Sequence, residues 1–438
     1  MPASTQKQDQ DAQTPRLPIE LIHCIIDVIA SQIPQTFFKL DQQSIKYLET
    51  LKSLTLTSKI ISQYARLKLW SNVTINNVDD LDRFLSCTSF DSRLNMAEST
   101  EPSDTEVASM TNETMTAPQL FVKTLRIGHI STSFHMVSLI RDGELSLPAQ
   151  RNKLRQVLKR CTRLKELRLA GLKQASTCWL VPPQNFDSTL SSSSSTSSSL
   201  PCLPQLRHLY ITDNFFVVPR QLVTQLLSSS VLPALTSLTF ALNQVDLVET
   251  THDQDEQEWR LSTTTAPVLS QLICLSTSES LDIGHSHIND DDNNVESLSS
   301  SRIQFLDCWQ SELARDVQIL NNLPKQLKIL RLNESRGMPS VVVKPDLDGF
   351  TANWLLLQRE KETMSSSLIE LKQIWIPKSW QSDQKFQTLR QVCKSLNIEI
   401  MYENRQVDEI DSRDLEFAAF DEMFWKIASQ VERQSFQL

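Results

Sequence analysis

Apolar residues near the start of the chain recur at helical spacing. Leu21, Ile22, Ile25, Ile26 and Ile29 mark a first amphipathic helix behind Leu17-Pro18, and proline suits a first turn because the N–H it lacks has no partner there. A second helical run carries Ile45, Leu48, Leu51, Leu54 and Leu56. A third follows Ser58, placed to act as an N-cap, and carries Ile61, Tyr64, Ala65 and Leu69. The chain then turns extended at Val73-Thr74-Ile75 and predicts one more short helix through Leu81, Phe84 and Leu85. Three short helices cannot bury every apolar face among themselves, so a partner or the following domain must cover the remainder.

From residue 122 onward one apolar phrase organises the chain, L-x-x-L-x-[LI]. Its copies are centred on Leu125, Leu167, Leu209, Leu238, Leu272, Leu306, Leu330, Ile374 and Leu396. They recur on average about every 34 residues, a period that signals stacked repeats. Helical runs precede several copies: Leu154, Val157 and Leu158; Leu222, Val223, Leu226 and Leu227; Leu313, Val317 and Leu320; Phe386, Leu389 and Val392. Helix then strand, repeated, predicts an α/β solenoid with strands inside and helices outside. Two copies continue to an asparagine, Asn214 and Asn243, whose amide would pair with backbone in the turn after the strand.

Between the copies lie polar tracts, 88–117, 176–200, 246–265, 276–300 and 333–367, too poor in apolar residues to offset the entropy of ordering; like residues 1–14 they predict disorder. In the fourth, His285-Ser286-His287 beside Asp290-Asp291-Asp292 offers metal-type ligands with nothing apolar to hold a geometry, so a solvated loop is expected and no metal.

The chain has 438 residues, 40% of them hydrophobic, enough for a large core. Six glycines are few, and no phosphate-cradling or nucleophile-elbow motif occurs, which argues against a nucleotide cofactor and against catalysis. A formal charge of -9 disfavours nucleic acid and anionic membranes as partners. No apolar run approaches the ~20 residues of a spanning helix, so a soluble protein of the cytoplasm or nucleus is expected. Eight cysteines without a C-x-x-C pair read as small hydrophobes in a reducing compartment.

Leu17-Pro18, Glu20-Leu21-Ile22, the run Leu51 to Ser58 and Leu69-Trp70 resemble an F-box, in the divergent form common among fungal F-box proteins. The segment 31–44 is longer than that family's usual connection, and Ser58-Lys59-Ile60-Ile61 stands where Cys-Lys-x-Trp is frequent. The phrase that follows resembles the leucine-rich repeat, in an irregular, long-repeat form. Together the resemblances imply an F-box-like domain over 15–72, a leucine-rich-repeat solenoid over 73–405 and a C-terminal amphipathic helix within 406–438. They imply the substrate-recognition subunit of an SCF-type cullin-RING ubiquitin ligase, acting in ubiquitin-dependent degradation. A Skp-type adaptor, itself carried by the cullin scaffold, would meet Leu17, Pro18, Leu21, Ile22, Ile25, Leu51 and Leu54. The alternative is a ligase-independent scaffold whose N-terminal helices only cap the repeats.

In such a solenoid the x positions of x-x-L-x-L face the concave side. Over the first eight copies they hold eight basic residues (Lys123, Arg126, Lys165, Arg168, Arg207, Lys328, Arg331 and Lys372) and two acidic ones (Glu166 and Asp307). A basic inner face would suit an acidic or phosphorylated target, with Arg126, Arg168, Arg207 and Arg331 as charges and Tyr210, Phe305 and Trp375 as anchors. The blander reading is that exposed strand positions tolerate long charged side chains. The C-terminal run Leu415, Phe417, Phe420, Phe424, Trp425, Ile427, Ala428 and Val431 would cover the open end of the repeats, or dock on another protein.

Overall fold

A computed structural model describes residues 17–33, 42–89, 118–128, 148–170, 203–219, 224, 226–246, 266–277, 301–309, 323–333, 349, 371–382, 384, 386–403 and 424–434. The chain divides into two compact units, 1–72 and 73–438.

The first unit is a bundle of α1 (Ile19–Ser31), α2 (Gln42–Leu54) and α3 (Lys59–Ser71), each packed on the other two. Pro18 stands at the N-cap with φ -53° and ψ 141°, and its carbonyl accepts the N–H groups of Leu21 and Ile22 at 3.1 and 3.2 Å. Ser58 holds the N-cap of α3 in extended backbone, yet its side chain makes no capping bond; its carbonyl takes the first helical hydrogen bond, from Ser62 N–H at 2.8 Å. The Ser62 hydroxyl donates to the Thr55 carbonyl at 2.7 Å and ties down the α2–α3 turn. Because α2 ends at Leu54, Leu56 lies in that turn, 86% exposed, rather than in the helix. Ile26, Leu51 and Ala65, one from each helix, are the bundle's fully buried apolar positions among the described residues.

A polar clasp joins α1 to α3. The Tyr64 hydroxyl donates to both Asp27 carboxylate oxygens at 3.0 Å, Lys68 Nζ lies 2.6 Å from Asp27 Oδ1, and the Tyr64 ring stacks on His23 at 3.9 Å. The hydrogen bond from Lys68 holds the Asp27 carboxyl below its ordinary value. With Asp27 half-exposed the ion pair contributes about 0.5 kcal/mol at most. Its main effect is to set which faces of α1 and α3 meet.

The second unit is built on a ten-stranded sheet whose spatial order is the chain order. Its strands are β1 (Asn72–Ile75), β2 (Thr124–Gly128), β3 (Glu166–Ala170), β4 (His208–Pro219), β5 (Ser237–Asp246), β6 (Cys274–Thr277), β7 (Phe305–Trp309), β8 (Ile329–Asn333), β9 (Gln373–Pro377) and β10 (Glu399–Glu403). Every pairing from β2 onward is parallel. Parallel neighbours need long crossovers, and α4 (Val78–Ser89), α5 (Pro148–Arg160) and α6 (Phe386–Ser395) lie in three of them. The order never reverses, so the sheet lacks the switch point at which open α/β sheets seat cofactors.

The register places Leu125, Leu167, Leu209, Leu238, Leu275, Leu306, Leu330 and Ile374 side by side, each with 0% exposure. Each buried leucine contributes roughly 1.5–3 kcal/mol relative to exposure, which makes this row the backbone of the core.

Two copies of the phrase are displaced from their expected centres. In Leu269-Ser270-Gln271-Leu272-Ile273-Cys274-Leu275-Ser276-Thr277 leucines recur every three residues, and two overlapping matches are possible. Leu275, not Leu272, pairs with Leu238, because a tight turn at Pro267–Ser270 spends the first leucine before the strand begins. Cys274 and Ser276 therefore take the face expected for Ser270, Gln271 and Ile273. The last copy is centred on Ile400 rather than Leu396. Cys393 to Ile398 instead form the exit of α6: Asn397 turns left-handed at φ 58°, Ile398 N–H donates to Cys393 O at 2.8 Å and Asn397 N–H to Lys394 O at 3.2 Å. That is a Schellman cap, whose spacing imitates the repeat.

Asn214 and Asn243 do not lie in turns. β4 and β5 run through them, and the pairing jumps from Asp213↔Leu242 to Val217↔Gln244, a bulge with both asparagines inside it. Of the segments expected to be disordered, residues 1–14, 90–117, 176–200, 247–265, 278–300, 334–348 and 350–367 lie outside the described residues, as do His285, His287 and the Asp290–Asp292 run. Thr88, Ser276 and Thr277 instead belong to α4 and β6. No helix among the described residues is long and apolar enough to cross a membrane.

Candidate interaction surfaces

The first surface follows from the geometry of α1. Leu17, Leu21, Ile25 and Val28 rise along one side of the helix at steps of four, four and three residues, while Ile26 on another side is buried. Their exposures are 60, 50, 49 and 60%, and Ile60 on α3 is 58% exposed. Pro18 is also exposed, and Ile22 and Leu54 are half-buried. Leu51 departs from the expectation: at 1% exposure it belongs to the bundle's own core and cannot touch a partner directly. The reason lies in helix packing, since α2 presents Leu51 to its two neighbours and not to solvent.

The second surface is the sheet face opposite the leucine row, the one expected to be concave and open. It carries two rows in register. The first contains Thr124, Glu166, His208, Ser237, Cys274, Phe305, Ile329, Gln373 and Glu399; the second contains Arg126, Arg168, Tyr210, Thr239, Ser276, Asp307, Arg331, Trp375 and Met401. Most of it is buried. Arg126, Arg168, Tyr210, Phe305 and Arg331 are 3, 5, 1, 0 and 0% exposed, so five of the seven residues expected to meet a target are inaccessible. Arg207 is exposed and Trp375 is half-buried.

Two of the three buried arginines on this face are matched by acids within it. Arg331 Nη1 lies 3.1 Å from Asp307 Oδ2, which also accepts the Ser276 hydroxyl at 2.9 Å, all three side chains being buried on adjacent strands. Arg168 Nε donates to Glu166 Oε1 one step along its own strand. The side chains that sequence reasoning read as a basic inner face are thus structural where they lie on the strands proper.

Over β3 to β7 the cover is the C-terminal helix α7, residues 424–434. It does not close an open end, contrary to expectation. Phe424 stacks on Phe305 with centroids 5.1 Å apart, the His208 ring meets Trp425 edge-on at 5.1 Å, and the Arg168 guanidinium lies 5.7 Å above the Trp425 ring. Glu432 Oε1 accepts the hydroxyls of Thr236 and Ser237, both at 2.7 Å, and Oε2 lies 3.5 Å from His208 Nε2. Burial pushes the His208 pKa below its ordinary value, against the pull of Glu432 and Glu166. The Cys274 thiol, whose pKa burial raises, points at the Ala428 carbonyl at 4.0 Å. The amphipathic pattern of this helix was legible in the chain; Glu432 and His208, one outside the apolar stripe and the other an ordinary strand position, carried no signal.

What stays accessible is the residue just before each of β2 to β9, and at five of these eight positions it is basic. Lys123, Lys165, Arg207, Thr236, Ile273, Gln304, Lys328 and Lys372 succeed one another along the sheet edge, each donating its backbone N–H to the carbonyl of the one before, at 2.8 to 2.9 Å. Lys123, Lys165, Arg207 and Lys372 are exposed and Lys328 half-buried, its Nζ bonded to Gln304 Oε1 at 3.0 Å.

No protein-family model matches the chain. No curated protein matches it either. Among the described residues no group of three or more His, Cys, Asp or Glu side chains could hold a metal ion.

Proposed function

We propose that the chain is the target-recognition subunit of an SCF-type cullin-RING ubiquitin ligase. The three-helix unit is an F-box-like head that binds a Skp-type adaptor, and the second unit is a leucine-rich-repeat solenoid that holds a target protein. The observation that carries the reading is the exposed row Leu17, Leu21, Ile25 and Val28 on a small bundle whose core is already closed by Ile26, Leu51 and Ala65. Contiguous apolar rows of this kind are kept on soluble domains where a partner covers them. In support of the solenoid, eight of the nine copies of the repeated phrase lie on or run directly into one parallel strand, laid down in chain order.

The target would meet the basic edge rather than the inner face. Lys123, Lys165 and Arg207 stand on adjacent strands about 4.8 Å apart, where like charges repel by roughly 1 kcal/mol per neighbour in water. An acidic or phosphorylated segment laid along them relieves that repulsion and fixes the polarity of binding. The subunit's contribution is proximity: it raises the local concentration of the target's lysines at the ligase, in the cytoplasm or nucleus, and leaves bond chemistry to its partners.

The test is co-purification of the full chain with a Skp-type adaptor, beside a variant carrying Leu21→Asp and Ile25→Asp. Adaptor retained by the wild type and lost by the folded variant supports the reading. A folded wild type that retains no adaptor refutes it and leaves a ligase-independent scaffold.

A further inference from the structure

We infer that the sheet face of β3 to β7 is a helix-docking surface for an external partner, and that α7 is its exchangeable resident. The partner it fits is an amphipathic helix bearing two adjacent aromatic residues and, two turns later, a carboxylate. The inference does not depend on what the N-terminal bundle binds.

The resident helix defines the chemistry of the site. Phe424 and Trp425 lie against Phe305 and His208, Ala428 lets the backbone come within 4.0 Å of the Cys274 thiol, and Glu432 closes the contact one turn further on. Small residues under the middle of the helix and aromatics under its start form a socket for a helix running in one direction only. The carboxylate sets the register, because Thr236 and Ser237 hydroxyls converge on one oxygen while His208 approaches the other. A helix slipped by one residue would leave two hydroxyls and an imidazole without that acceptor.

Three features mark α7 as a ligand more than as core. It follows the last strand in sequence, so the leucine row of β2 to β9 is complete without it. Its contact includes polar groups, a buried carboxylate among them, where the leucine row on the opposite face of the same strands carries no charge. And the contact is imperfectly satisfied: His208 Nδ1, Thr239 Oγ1 and Trp425 Nε1 are buried and make no hydrogen bond among the described residues. Each such atom has lost its water without gaining a partner among the described residues, and an occupant offering a matching group would satisfy it.

The experiment uses the full chain. Native-state hydrogen exchange should show the amides of 424–434 opening about tenfold or more faster than those of Leu209 and Leu238, through local release rather than global unfolding. A fluorescent peptide of residues 421–438, added in excess, should be taken up saturably by the full chain, while the same peptide with Glu432→Lys should not. Uptake should rise in a full chain carrying Trp425→Ala, whose resident helix is weakened. Equal protection of 424–434 and of the two leucines, or uptake indifferent to Glu432→Lys, would show that α7 is a fixed part of the fold and overturn the inference.

Discussion

Removing one member of the Asp307–Arg331 pair tests whether the inner-face arginines support the fold or bind a target. Both side chains are 0% exposed, 3.1 Å apart on β7 and β8, with Ser276 of β6 on the same carboxylate oxygen. Asp307→Ala removes the carboxylate that lies 3.1 Å from a fully buried guanidinium, a loss of about 3–5 kcal/mol. Arg331→Met removes the guanidinium from the buried carboxylate instead, and costs a similar amount. The double variant Asp307→Leu/Arg331→Met removes both charges and should lie within about 1 kcal/mol of the wild type, or be more stable, because apolar replacement of a whole buried pair is often neutral or better. The coupling between the two changes is then several kcal/mol, far above what separated sites show. Hydrogen exchange at the Leu306 and Leu330 amides reads the effect locally. At 1.4 kcal/mol per factor of ten, each single variant should lose about two to three-and-a-half orders of magnitude of protection, and the double variant should regain it. A single-variant loss below about tenfold, or a double variant as exposed as the singles, would refute the argument and return Arg331 to the set of target-binding residues.

Leu21→Asp and Ile25→Asp change positions half-exposed to solvent, so each should shift stability by no more than about 0.5 kcal/mol in urea unfolding; Leu51→Ala, at 1% exposure, should cost about 2–5 kcal/mol in the same assay. The contact of α7 with the sheet should weaken in acid. His208 has its folded pKa below the ordinary 6.5, so the released state binds the proton more readily, and the stability this group contributes is full above 6.5 and lost as the pH falls through the folded value. Glu432, Glu166, Arg207 and Arg168 are the charged groups that act on it. The protection factors of the 424–434 amides, taken relative to their intrinsic exchange rates at each pH, should therefore fall below pH 6.5, and His208→Gln should flatten the profile. Burial pushes the Cys161 and Cys393 thiols up to about 12, while Cys24 and Cys87 are exposed. Alkylation of the native protein near neutral pH should label Cys24 and Cys87 and spare Cys161 and Cys393, as mass spectrometry would show.

Among the described residues, periodicity by itself placed the helices α1 to α6 and most of the strands, and named most of the apolar anchors; the helical runs expected at residues 222–223 and 313–320 lie outside those residues. Leu125, Leu167, Leu209, Leu238, Leu306, Leu330 and Ile374 could be named from spacing because a repeated strand must return the same side chain to the same face. The pattern weakened where spacing is degenerate. Leucines at steps of three offered Leu272 and Leu275 equally, and only pairing with Leu238 chose between them. A helix ending in a Schellman cap mimicked a repeat at Leu396 for a similar reason, since local sequence does not say whether a turn is followed by a ladder.

Accessibility was the property that sequence could not supply. Arg126, Arg168 and Arg331 and the exposed Lys123, Lys165 and Arg207 occupy the same repeat positions to within three residues. The first three are buried on the strands, Arg168 beside Glu166 and Trp425 and Arg331 beside Asp307; the others stand just before the strands, in solvent. Whether an alternating strand position faces water depends on what lies above the sheet, and over β3 to β7 that is decided by a helix more than two hundred residues away from β3 in the chain, brought back by Phe424, Trp425 and Glu432. Local sequence sets the period and the polarity of each face, because those are properties of the strand alone. Only the tertiary structure sets which face is free, because burial is a relation between distant segments.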